Sequence, residues 1–317
     1  MMIDKAALGL NPQLTFGTVP LDSMWQQDSL DPATEKFSTI YAFGDSLSDV
    51  GNDYKLSLGV LPTGAIYSDG RFSNGNVWVQ DLAEKLGLSP IKASLLGGTD
   101  YAYGGAEAGT ETLHSYSPLD LPTQLAQFEV NVPHPEADAL YTLSIGANDL
   151  LDAIPEYAKN ETTALKDITQ AVSNEISFLK DMAGLGADNF LILNVPDLGK
   201  TPAESGVAAT ATKLSSLYDQ DLSTALKSLS AADTKLDIHV VNAFALIDAA
   251  VADPAAYGLK NVTTPVWTGN YENPFSGHLN ATGAAQNTYL FFDHLHPTAA
   301  GHLAVADAAL TALNTTV

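Results

Sequence analysis

The chain of 317 residues carries 14 Lys and Arg against 37 Asp and Glu, a formal charge of −23. One arginine, Arg71, and no basic cluster exclude the phosphate-neutralising surface that DNA or RNA binding needs. The absence of cysteine excludes disulfide frameworks, thiolate nucleophiles and Cys-based metal centres. No run approaches the ~20 apolar residues of a membrane helix, so no stable membrane insertion is expected.

With 45% hydrophobic residues the chain can bury a substantial core. Residues 1–37, rich in Pro, Gln, Asp and Ser, show no sustained period and read as an N-terminal arm, with a single domain expected over 38–317. Thr39 to Phe43 is short, β-branched and aromatic and stops at Gly44, as a buried strand running into a tight turn does. Val77 to Leu86 has apolar residues at helical spacing, with Asn74 or Asn76 as its N-cap and Gly87 closing it. Further strands are expected at Lys92 to Leu95, the weakest, and at Ala139 to Ser144, Asp188 to Val195 and Leu236 to Phe244. Between them Ala164 to Ala183 and Gly206 to Leu229 read as long amphipathic helices, and Thr298 to Leu313 as a closing helix with Pro297 near its first turn. Strands alternating with helices of this length imply a parallel sheet covered on both faces. Asp53 to Asn74 and Ala249 to Phe292 lack periodicity, and loops of this length in a domain are candidates for function.

In an open parallel sheet, ligands bind beyond the carboxyl ends of the strands, so the residues that follow each strand matter most. Gly44-Asp45-Ser46-Leu47-Ser48 follows the first, Tyr101-Ala102-Tyr103-Gly104-Gly105-Ala106 the second and Gly146-Ala147-Asn148-Asp149 the third. Asp293-His294-Leu295-His296-Pro297 stands directly before the closing helix. A serine hydroxyl is a weak nucleophile that needs an imidazole within reach and donors aimed at a developing oxyanion, and this set supplies both. Taken singly, Ser46 reads equally well as an N-cap, Gly104 and Gly105 as a turn, and Asn148 and Asp149 as caps of a following helix. Their coincidence on one sheet edge is what points to chemistry.

Phe43-Gly44-Asp45-Ser46-Leu47-Ser48-Asp49 resembles the first sequence block of the GDSL family of SGNH hydrolases. The glycine pair, the Gly146-Ala147-Asn148-Asp149 stretch and the Asp293 to Pro297 stretch are similar to later blocks in the same order. Gly70-Arg71-Phe72-Ser73-Asn74-Gly75 and Asn194-Val195-Pro196-Asp197-Leu198-Gly199 resemble the branch that holds lipases, phospholipase-like haemolysins and plant esterases. The resemblance implies an α/β fold, a three-layer α/β/α sandwich around a flavodoxin-like, five-stranded parallel sheet of order 2-1-3-4-5. It implies a serine carboxylester hydrolase with Ser46 as nucleophile, His296 as general base and Asp293 as its orienting carboxylate. The implied oxyanion donors are the Ser46 amide, the Gly105 amide and the Asn148 side chain, with Gly104 open as the alternative to Gly105. No cofactor and no metal are expected, and the partner is an ester substrate, an acyl lipid or an acylated small molecule. Extracellular or cell-surface action is implied by the resemblance, with the cytoplasm as the alternative because no export signal is visible.

Competing readings are a carbohydrate O-deacetylase, an acyltransferase, and a binding or passenger domain that keeps the sandwich without activity. Asp293, His294 and His296 also suit zinc by residue type, although no His-Glu-x-x-His accompanies them. Arg71 invites a substrate-clamp reading, with a structural role favoured. Tyr257, Trp267, Tyr271, Phe275, Tyr289, Phe291 and Phe292 enrich the long loop before Asp293 in aromatic rings, which either wall an acyl chain or anchor the loop to the core.

Overall fold

In the computed structural model, which describes residues 36–110 and 119–314, every residue of the first strand, β1 (Ile40–Gly44), is buried. It pairs with β2 (Leu140–Ser144), β2 with β3 (Asn189–Leu193), and β3 with β4 (Asp237–Val241), all parallel and in chain order. Successive side chains point to opposite faces, so each strand feeds two cores. Tyr41, Phe43, Tyr141, Leu143, Phe190 and Ile192 pack beneath α3 (Leu121–Asn131), α4 (Ala147–Lys159), α5 (Glu161–Leu185) and α6 (Ala208–Ala232). Ile40, Ala42, Leu140, Leu191, Leu193 and Val241 pack on the other face beneath α2 (Trp78–Lys85), the start of α7 (Ala243–Ala252) and α8 (Ala299–Ala312). This is the expected three-layer α/β/α sandwich. A short helix, α1 (Asn52–Leu56), follows the turn after β1. Among the described residues no helix is long and apolar enough to cross a membrane.

The sheet has four regular strands, not five. Lys92 to Leu95 folds into a local loop instead, closed by a parallel bridge between Ala93 and Asp100: Asp100 N donates to Lys92 O, Ser94 N to Asp100 O, and Ser94–Leu96 makes one 3-10 turn before Gly97 and Gly98. Its backbone groups are consumed locally and cannot run along β1. The position outside β1 is taken by residues 99–103, which donate and accept as an irregular edge: Ala42 N to Thr99 O (3.0 Å), Tyr101 N to Ala42 O (2.7 Å) and Tyr103 N to Gly44 O (3.1 Å). The regular sheet therefore runs β1-β2-β3-β4, and where a fifth strand is expected beside β1 stands Asp100, whose carboxylate accepts the Val50 and Ala102 amides. The last strand also ends sooner than its apolar run suggests, because the Asn242 side chain caps α7 through the Ala245 amide (2.8 Å). Asn74 and Asn76 do not cap α2, whose N-cap is Val77. Residues 1–35 of the expected arm lie outside the described residues, and Phe37, at its end, is buried in the core.

Several carboxyls are buried with the sheet. Burial raises Asp149 and Asp219 to a pKa of about 7 and Glu175, which accepts the Tyr218 hydroxyl, to about 8. An unfolded carboxyl titrates near ~4, so the folded state holds these protons more tightly than the unfolded chain does. Their contribution to stability is complete below the unfolded value and is lost as pH rises through about 7 to 8. Thermal unfolding is therefore expected to give a higher Tm at pH ~5 than at pH ~9. A Tm that climbs over that interval would contradict the burial of these groups as neutral acids.

Candidate active site

The end of β1 is shaped by what surrounds Gly44. A Cβ there would collide with the Ser144 carbonyl of β2, and the residue has φ +131°, so only glycine lets the strand end this close to its neighbour. Gln124 of α3 brackets it, accepting from Gly44 N (2.9 Å) and donating to Gly44 O (2.8 Å). Asp45 then turns the chain: its carboxylate accepts the Leu47 amide (2.9 Å), and its carbonyl accepts the Ser48 and Asp49 amides. Ser46 is left at the apex of this turn with 7% of its surface exposed. The Asp49 carboxylate gathers the amides of Gly51, Asn52 and Asp53, which fixes the base of the turn.

His296 reaches the same point from the segment before α8. Asp293 folds that segment back on itself, one carboxylate oxygen accepting the Leu295 (2.8 Å) and His296 (2.7 Å) amides. The other oxygen meets His296 Nδ1 at 2.8 Å and accepts the Tyr67 hydroxyl at 2.6 Å. His296 Nε2 lies 2.8 Å from Ser46 Oγ. Burial opposes ionisation of Asp293, but the His296 ring and these donors outweigh it and hold the pKa at about 2. The carboxylate is thus an acceptor throughout the neutral range, which makes Nδ1 the donor and leaves Nε2 to accept from the serine hydroxyl.

The stretch from Gly70 to Gly75 braces this segment. The Phe72 ring lies 5.1 Å from the His296 ring, Ser73 Oγ donates to Pro297 O (2.9 Å), and Asn74 Oδ1 accepts Ala299 N at the first turn of α8 (2.8 Å). Asn74 is therefore committed to α8. Arg71 has a structural partner, Gln80 of α2, through Nε at 2.7 Å. Tyr67 carries no motif that marks it in the sequence, since its partner is 226 positions away. A hydrogen bond to a charged group is worth ~1.5–3 kcal/mol, so Tyr67→Phe is expected to lower kcat/KM by roughly tenfold with KM little changed. Unaltered kinetics would mean that the two amides alone hold Asp293.

The two glycines separate in the structure. A side chain on Gly104 would strike the Phe72 ring and the Asp53 carboxylate, and its amide is turned toward Asp49 (3.4 Å). Gly105 has φ +75° with open space above it, and among the described residues neither its amide nor that of Ser46 is engaged by another protein group. Asn148 stands in the first turn of α4, with Nδ2 donating to Ala106 O (2.8 Å) and its second amide hydrogen left for the cleft. Asp149 ties that turn to the glycine loop by accepting the Ala108 amide (3.1 Å). Ser46, Gly104, Gly105, Asn148 and His296 line one cleft, and Asp293 stands behind His296.

His294 is exposed and turned away, its Nε2 3.0 Å from Thr268 O, and among the described residues no cluster of three or more His, Asp or Glu is arranged to hold a metal. The aromatic loop divides. Trp267, Phe291 and Phe292 are buried as anchors, Phe275 is 92% exposed, and Tyr271 alone among its rings reaches the cleft, edge-on to Phe72.

A nucleophile-type serine, an imidazole and unengaged amides at the carboxyl edge of a parallel α/β sheet belong to the class of carboxylic ester hydrolases. The GDSL-like Lipase/Acylhydrolase family model matches residues 40–309, and the chain belongs to that family. It is 27% identical over 315 residues to a phosphatidylcholine-sterol acyltransferase of Aeromonas hydrophila, covering 87% of this chain and 90% of that protein. It is 26% identical over 313 residues to a thermolabile hemolysin of Vibrio parahaemolyticus, covering 92% of this chain and 67% of that protein. Among solved structures, a lipase from a goat rumen metagenome superposes with a TM-score of 0.49 at 18% identity, over 87% of this chain and 97% of that one.

Proposed function

We propose that the protein cleaves acyl esters through an acyl-enzyme on Ser46. Supporting this reading is one observation above the rest: the Asp293, His296 and Ser46 relay, 2.8 Å at each step, ends in a cleft edged by two unengaged amides. His296 Nε2 takes the hydroxyl proton as Ser46 Oγ attacks the ester carbonyl, and Asp293 stabilises the imidazolium that forms. The Ser46 and Gly105 amides and the Asn148 side chain receive the developing oxyanion. When the intermediate collapses, His296 returns the proton to the leaving alcohol, and water repeats the cycle on the acyl-enzyme.

Esters of one acid with different alcohols then pass through one common intermediate. Their partition between water and added methanol is expected to be independent of the leaving group, and a partition that changes with it would contradict an acyl-enzyme. The same experiment bears on a second reading, acyl transfer to an acceptor alcohol, favoured by the acyltransferase relative. A sterol or other apolar alcohol that outcompetes water well below its molar excess would support transfer. Because protein groups supply nucleophile, base and oxyanion donors, exhaustive chelation is expected to leave activity unchanged. Activity lost to chelator and restored by zinc would revive the ligand reading of Asp293, His294 and His296.

A further inference from the structure

The cleft meets a second space at Ser46. The second is an apolar recess of about 90 Å³ that starts at Ser46, Asn148 and His296 and runs between α7 and α8. Leu246, Ile247 and Ala250 of α7 form one wall, Ala300 and Ala304 of α8 the other, and Leu290 and Phe291 lie on its lining as well. The α8 side of the recess is kept open by small residues, Ala300, Gly301 and Ala304. Leu246 and Ile247 of α7 reach toward that face without filling it. An unfilled apolar cavity costs stability, and such cavities stay dry and take apolar guests. A gap of this volume is several times the ~10–15 Å³ that one water needs, and its walls offer water few partners. His302 lies on the lining with Nε2 unpartnered, and burial lowers its pKa to about 3, so the ring brings no charge.

From this geometry we propose that the recess between α7 and α8 is the acyl chamber and that it takes the unbranched, medium-length acyl chain of an ester held at Ser46. The proposal rests on the acyl-enzyme reading above and names its substrate class. The two spaces suit the two arms of such a substrate. The recess is apolar and set back between helices, whereas the cleft on the other side carries Ser57, Asp53, Tyr271 and Glu272 and suits a polar alcohol arm. The acyl carbonyl then sits at their junction, where Asn148 and His296 line both spaces. The aromatic loop contributes Tyr257 and Phe291 to the lining of this chamber, while its Trp267 and Phe292 anchor the loop in a separate buried cluster.

The test is a chain-length series of p-nitrophenyl esters, from acetate through butyrate, hexanoate and octanoate to dodecanoate, on three purified proteins. In the wild type kcat/KM is expected to rise by roughly two- to fourfold per methylene up to medium chains and then to fall. Ala304→Phe, which puts a ring into the chamber, is expected to reduce the octanoate-to-acetate ratio of kcat/KM by at least ~tenfold. Leu246→Ala, which lengthens the space, is expected to move the optimum to longer chains, and it carries the test if the larger side chain prevents folding. A length profile that neither variant shifts, on a wild type that hydrolyses esters through Ser46, overturns the chamber and leaves the acyl-enzyme reading standing. A wild type inert toward every ester overturns both.

Discussion

Ser46→Ala is expected to lower kcat/KM for an activated acyl ester by about 10⁴–10⁶, with the fold and Tm close to wild type. The side chain contributes one hydrogen bond to His296 and no core contact that alanine would forfeit. His296→Ala is expected to cost about as much, and the double variant no more than either single one, because the hydroxyl is a useful nucleophile only while Nε2 can take its proton. The comparison is made by steady-state assay of all three proteins alongside circular dichroism. Retention of a tenth of wild-type turnover by Ser46→Ala, or effects that multiply in the double variant, would show that Ser46 and His296 do not act as a unit.

Asn148→Ala is expected to lower kcat by ~10²–10³ with KM nearly unchanged, the loss seen when one preorganised oxyanion donor is removed. The reason for the split is that the donor gains strength only as charge develops on the carbonyl oxygen. Asn148 also holds the Ala106 carbonyl, and loss of that bond is expected to cost about 1 kcal/mol of stability, which thermal unfolding reads separately. A raised KM with kcat intact would make Asn148 a substrate-positioning group and leave the oxyanion to the two backbone amides.

The parts of this site that were legible in the sequence are those fixed by local geometry. Gly44 to Asp49 is a single turn whose side chains hold their own backbone, and Asp293 to His296 is another, so both can be recognised as short strings. The strand β1 stands out because both its faces are buried and every position is apolar or glycine. What escaped is held by distant partners or by small differences. Tyr67 reaches Asp293 only through the tertiary fold. The choice between Gly104 and Gly105 turns on which amide faces Asp49, which no composition rule encodes. Helix α7 hides in the apolar run that extends β4, and only the cap by Asn242 divides them. The edge at 99–103 lacks strand character because Asp100 spends its carboxylate on neighbouring amides. The recess between α7 and α8 is not legible for a related reason: Ala300, Gly301 and Ala304 read as an ordinary helix face, and the space they leave appears only when α7 packs opposite them.

The most direct measurement is the mass of the protein after treatment with a p-nitrophenyl alkylphosphonate, a tetrahedral mimic of the addition intermediate, followed by peptide mapping. One alkylphosphonyl group per chain on Ser46, formed in step with loss of activity and absent from His296→Ala, is the predicted result. Complete loss of activity with Ser46 unmodified, or an adduct on another side chain that tracks that loss, would contradict the account.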